Sequence, residues 1–117
     1  MKGTKTAFFA FKGNPICFVH VLLNALDLRE KEGDVKIILE GEATKLIIDL
    51  RKPEHPLHAL YEKAKNLGLI AAVCRACAVK MGVLEAAEAE GLRIADDMAG
   101  HAGMAPYKGQ GYEIITL

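Results

Sequence analysis

Leu69-Ile70-Ala71-Ala72-Val73-Cys74-Arg75-Ala76-Cys77-Ala78 is the stretch whose reading decides the fold. Leu69 to Val73 is a short continuous apolar run, the length and composition of a strand covered on both faces. Cys74 to Cys77 follow without a turn, and Ala78 to Glu90 is alanine-rich and helical, with Gly82 as a kink or a break into two half-helices. A buried strand feeding straight into a helix is half of a βαβ unit. Upstream, Pro56 opens a helix whose Leu57, Leu60, Tyr61, Ala64 and Leu67 share one face, and Gly68 ends it.

The same alternation extends to both ends. Thr6 to Phe11 and Val35 to Leu39 read as two further buried strands. Between them Asn14 caps and Pro15 starts a helix that carries Val19, Leu22, Leu23 and Leu26, then the charged run Asp27 to Glu32, with Gly33 as terminator. Ala43 to Leu50 reads as a short helix broken before Pro53. Leu92 to Ala95 reads as a brief fourth strand, Gly100 to Gly111 as a loop or short helix, and Tyr112 to Leu117 as a terminal strand. Strands separated by helices imply right-handed crossovers. The expected fold is α/β: a three-layer α/β/α sandwich around a mostly parallel sheet of four to five strands, flavodoxin-like in appearance, with one domain over residues 1–117.

Composition narrows function by exclusion. Fifteen basic and fifteen acidic residues cancel, so no overall field draws in nucleic acid or an anionic membrane, and neither is expected as a partner. The apolar run Ala7 to Phe11 stops at Lys12 and Gly13, too short for a signal segment or a membrane span, so the protein is expected to be cytoplasmic. Three cysteines, two of them spaced Cys74-x-x-Cys77, then read as thiol or metal chemistry before they read as a disulfide framework.

In a parallel sheet, ligands bind beyond the carboxyl ends of the strands, where helix N-termini also point. Lys12 to Cys17, Glu40 to Glu42, Cys74 to Cys77 and Asp96 to His101 all follow strands and are expected on that rim. Cys74, at a strand end and a helix start, has the setting that favours a thiolate, with Arg75 adding positive charge. Cys77, one turn further on, can form a disulfide, share a metal or resolve Cys74, and the spacing does not choose among these. Cys17, in the first turn after Pro15, is balanced between a similar role and core packing. His101 lies in a turn-rich run where a proton donor and a solvated loop residue both fit. Glu40 and Glu42 resemble paired carboxylates, although Glu42 also suits the first turn of the next helix.

No metal is expected: zinc wants four ligands, and this chain offers one close pair with Cys17, His20 and His101 far away in sequence. Neither Gly41 nor Gly100-His101-Ala102-Gly103 matches a nucleotide-binding loop, so no cofactor is expected.

The Phe-rich first strand, Glu40-Gly41-Glu42-Ala43, Cys74-Arg75-Ala76-Cys77-Ala78 with Lys80-Met81-Gly82-Val83, and Gly111-Tyr112-Glu113-Ile114-Ile115-Thr116 together resemble the DsrE/DsrF-like (DsrEFH) sulfur-relay family, in its uncharacterised single-gene cytoplasmic branch. The resemblance spans nearly the whole chain. It implies a small cytoplasmic α/β protein of sulfur metabolism, a sulfur (persulfide) carrier or sulfurtransferase. Its reactive cysteine precedes an alanine-rich helix and a glycine eight residues on, which corresponds to Cys74 and Gly82. Cys77 has no counterpart in the simplest relay members. The resemblance also implies a homo-oligomer (dimer, trimer or hexamer) and partner proteins that donate and accept sulfur. Two other readings stay open: a dithiol/disulfide redox protein using Cys74 and Cys77, and a non-catalytic oligomeric subunit whose cysteines pack or bind metal.

Overall fold

The protein is described by a computed structural model over residues 2–117. Strand β1 is Lys5–Ala10, β2 Asp34–Leu39, β3 Ile70–Cys74, β4 Ile94–Ala95 and β5 Glu113–Thr116. They form one sheet in the order β4-β3-β2-β1-β5, with every pairing parallel. The helices are α1 Pro15–Glu30, α2 Leu46–Leu50, α3 His58–Asn66, α4 Arg75–Lys80, α5 Leu84–Ala89 and α6 Ala105–Gly109, and a 3-10 turn spans Gly41–Lys45. This is the expected three-layer α/β/α arrangement, with five strands and no antiparallel member.

The strand order explains why the layers are unequal. From β1 to β4 each strand lies beside the last, always stepping the same way, so right-handed crossovers stack the intervening helices on one face. The chain then returns across the sheet to put β5 beside β1, and this connection covers the other face. Side-chain alternation keeps the two cores separate: Phe8 and Ala10 of β1 join Ile37 and Leu39 on the helical face, while Ala7 and Phe9 join Ile38 on the other.

Strand β3 interrupts that alternation. Ile37 pairs with Ile70 but Ile38 pairs with Ala72, so Ala71 is one residue too many and bulges. A bulge of one residue reverses the facing of everything after it. Val73 thus joins the helical face, and Cys74 joins the thinner one with Ala72 and Ala95.

Local signals hold with small corrections. The Asn14 side chain accepts the Ile16 N–H at 2.8 Å and Pro15 is the first helical residue, as expected. At the other end of α1 the left-handed residue is Glu32 (φ 68°), not Gly33. The Glu32 N–H donates to Arg29 O at 3.0 Å and the Gly33 N–H to Leu28 O at 2.8 Å, a Schellman closure. Gly33 is needed for space: a Cβ there would lie 3.0 Å from Leu28 O and from Thr4 Oγ1. Helix α3 begins at His58 rather than Pro56, because the His55 ring accepts the Leu57 N–H at 3.0 Å and holds residues 53–57 in turns. The alanine-rich run splits at Gly82 (φ 73°) into α4 and α5. Among the described residues no helix is long and apolar enough to cross a membrane.

Candidate functional site: a Cys-Cys-His cluster at the sheet rim

Cys74 ends β3 and caps α4, a fully buried residue whose extended backbone (φ −64°, ψ 120°) turns the chain directly from strand to helix. Its side chain makes no capping bond to that helix. One of the N–H groups expected near the sulfur is used otherwise: the Ala76 N–H donates to Gly100 O at 2.9 Å. What the Cys74 sulfur meets is His101, with Sγ 3.3 Å from Nδ1.

His101 is delivered by a two-residue turn. Met98 and His101 exchange both backbone hydrogen bonds, at 2.8 and 2.9 Å, around Ala99 (φ 50°) and Gly100 (φ 90°). Two consecutive positive φ values make a type I′ turn, which suits glycine but strains an alanine by about 1 kcal/mol. Strain of this kind persists where the surroundings over-determine the backbone, and here the Gly100 carbonyl is tied to the start of α4. The turn and the helix carrying the cysteines are therefore stapled together.

Cys77, half-exposed, faces the same imidazole, with Sγ 3.8 Å from His101 Nδ1. The two sulfurs and a ring nitrogen of His101 all lie within 4.8 Å of one another. Burial pushes the Cys77 thiol above its ordinary value, the Gly41 backbone N–H aimed at it works against that rise, and Cys74 and Glu40 add to it. Gly41 can aim its N–H there because it sits at φ 52°, with Phe11 O only 3.3 Å from where a Cβ would be.

Glu40 follows β2 and is almost wholly buried. Burial, with Asp97 nearby, raises its carboxyl to about 7, so it changes protonation near neutral pH. Asp97 also accepts the Gly103 N–H at 3.3 Å. Tyr107 of α6 completes this side. Burial pushes its hydroxyl up, Arg93 opposes through a hydrogen bond and its charge, and Asp97 and Glu40 add to the rise. Its ring packs edge-on against Phe9, with centroids 5.6 Å apart.

Of the residues singled out from sequence, Cys74, Cys77 and His101 are brought together, with Glu40 beside them. Arg75 is exposed at the first position of α4, outside the cluster. Cys17 lines a separate groove of about 510 Å³ with Phe11, Lys12, His20, Thr116 and Leu117. Glu42 lies in the 3-10 turn. The expectation of no metal rests on the need for four ligands, with Cys17, His20 and His101 far from the cysteine pair in sequence; the fold brings one of these, His101, to the pair. Asp97 and Tyr107 were not singled out. Asp97 lay within the rim segment 96–101, whereas Tyr107 lies in α6, where sequence pattern left loop and helix undecided.

No family model matches the chain. The structure of a conserved protein of unknown function, BT1422 from Bacteroides thetaiotaomicron, superposes with a TM-score of 0.70 over 97% of this chain and 95% of that one at 15% identity, a likeness of fold. The uncharacterized protein MJ0733 of Methanocaldococcus jannaschii is 39% identical, covering 97% of this chain and 95% of its own length. Similarity at that level over essentially the whole of both chains places this protein in the same family as MJ0733.

Proposed function

We propose that this protein is a cytoplasmic sulfur carrier of the DsrE/DsrF-like kind, in which Cys74 accepts sulfane sulfur as a persulfide and yields it to a partner thiol. The observation that carries the reading is the Cys74 sulfur, shielded from solvent at a strand end, 3.3 Å from His101 Nδ1. An imidazole at that distance takes the thiol proton and returns it to the leaving group. The Cys74 thiolate attacks the outer sulfur of a donor persulfide R–S–SH. The new Cys74–sulfur bond forms, the donor S–S bond breaks, and R–S⁻ leaves with the proton held by His101. Discharge is the reverse step with an acceptor thiolate attacking the outer sulfur. No net oxidant or reductant is needed. Burial protects a persulfide from water and stray thiols, and half-exposed Cys77 is the member of the pair that meets solvent.

A second reading is favoured by one observation, the closeness of the two sulfurs. Attack by the Cys77 thiolate on the inner sulfur of a Cys74 persulfide would break its S–S bond, expel the outer sulfur as hydrosulfide and leave a Cys74–Cys77 disulfide, with the donor's sulfane sulfur as the oxidant, so the pair would serve as a dithiol redox centre. Partners in the first reading are a sulfur donor and an acceptor thiol protein. Self-association belongs to it too, with exposed Phe11, Ile16, Leu23 and Leu117 as the surface in play.

Mass spectrometry of reduced protein incubated with polysulfide separates the readings. A carrier gains one sulfur per chain, lost in Cys74→Ser and kept in Cys17→Ser. A dithiol centre loses two protons and gains nothing. An unchanged mass would overturn both.

A further inference from the structure

We infer that Cys74 Sγ, Cys77 Sγ and His101 Nδ1 form a preorganised three-ligand site for a zinc-type divalent cation, with its fourth position open. The argument is geometric. Zinc bonds of about 2.3 Å to sulfur and about 2.0 Å to nitrogen, at tetrahedral angles, require S···N separations of about 3.6 Å and an S···S separation of about 3.8 Å. The two S···N separations are 3.3 and 3.8 Å, which bracket the first requirement, and the 4.8 Å bound on the cluster accommodates the second. To hold a cation the two S···N separations change by roughly 0.2–0.3 Å, and the S···S separation by at most about 1 Å.

The donors also suit the metal. Two thiolates and one neutral imidazole balance a charge of +2, which lets the assembly sit at a partly buried rim without a stranded charge. Binding releases one proton from each thiol to solvent and leaves His101 protonated at Nε2. The frame is set before a metal arrives: the Met98–His101 turn is closed by two backbone hydrogen bonds, and Ala76 N–H to Gly100 O joins it to the helix of the cysteines. The cluster holds no fourth Cys, His, Asp or Glu among the described residues, and His101 is exposed, so water or a substrate thiol has access to the remaining position.

This inference does not depend on the sulfur-carrier reading; the metal and sulfane sulfur compete for the same Cys74 and His101 atoms. It is read on fully reduced protein with no sulfur donor present, so either result can fail alone. The experiment is titration of the reduced, metal-free protein with Co²⁺ as a spectroscopic probe, then displacement by Zn²⁺ against a chromophoric chelator. One equivalent of Co²⁺ should produce thiolate-to-cobalt charge transfer and the visible bands of a four-coordinate ion, and Zn²⁺ should bleach both. Cys77→Ser and His101→Ala, at exposed or half-exposed positions, should each weaken binding by more than about 100-fold, since loss of even an outer-shell partner costs 10–100-fold. Cys17→Ser should bind as the parent does. Absence of the charge-transfer band at one equivalent, or parental affinity in Cys77→Ser or His101→Ala with circular dichroism unchanged, would overturn the proposal.

Discussion

One face of the sheet is covered by α1, α2, α3, α5 and the inner side of α4, and buries Phe8, Leu22, Ile37, Leu39 and Tyr61. The other is covered by the segment 96–104 and the five-residue α6, and buries Ala7, Phe9, Ile38, Ala72 and Cys74. The first is a close-packed core whose large side chains supply most of the apolar burial. The second has small residues at Ala7, Ala72, Ala95 and Ala102, and these let a loop approach the strands closely. The loop brings His101 to Cys74 and Asp97 to the neighbourhood of Glu40. The close-packed core and the cysteine–histidine cluster thus lie on opposite faces, and the thin cover leaves Cys77 and His101, but not Cys74, in reach of solvent.

The most direct way to break this comparison is to truncate one residue on each face. Leu22→Ala, at a fully buried position on the helical side, should cost about 3–4 kcal/mol in urea unfolding and leave Cys77 alkylation in the folded protein unchanged. Met104→Ala, partly exposed on the thin side, should cost less than about 1.5 kcal/mol. Equal costs would show that the faces contribute alike.

A pH experiment sharpens the contrast. Glu40 titrates at about 7 in the folded chain against an ordinary 4.5. Between those values the folded state holds more protons than the unfolded one, so stability is greatest below pH 4.5 for this group and falls as pH rises through 7. Glu40→Gln removes that slope. The variant should gain on the order of 2 kcal/mol over the parent at pH 8 relative to pH 4.5, a figure below the full shift because the carboxyl keeps some solvent contact. Parallel stability curves for parent and variant across that interval would refute the assignment.

The smallest effect tests a feature remote from the site. Glu32→Gly, at the left-handed position after α1, should raise stability by about 0.5–1 kcal/mol without altering Cys77 alkylation. A loss of stability would mean that the Glu32 side chain does more than tolerate its backbone.

Much of this arrangement was legible in the sequence because it rests on local rules. Continuous apolar runs at residues 6–11, 35–39 and 69–73 specify strands covered on both sides, and the intervening helical patterns specify parallel pairing, since parallel neighbours need crossovers. Strand ends carry the polar groups, so the sequence alone expects Glu40, Cys74 and His101 on one rim. Three features depended on the tertiary structure. The strand order, which leaves one face thinly covered, follows from where β5 docks beside β1, and no local pattern encodes that choice. The bulge at Ala71 turns Cys74 toward the thin face, although alternation cannot be read in a run that is apolar throughout. His101 reaches the sulfurs through a strained turn 24 residues beyond Cys77, held by the hydrogen bond between Ala76 and Gly100. Periodicity reports which residues are buried within an element; which buried side meets which loop is decided only when the elements pack, because that contact energy belongs to pairs far apart in the chain.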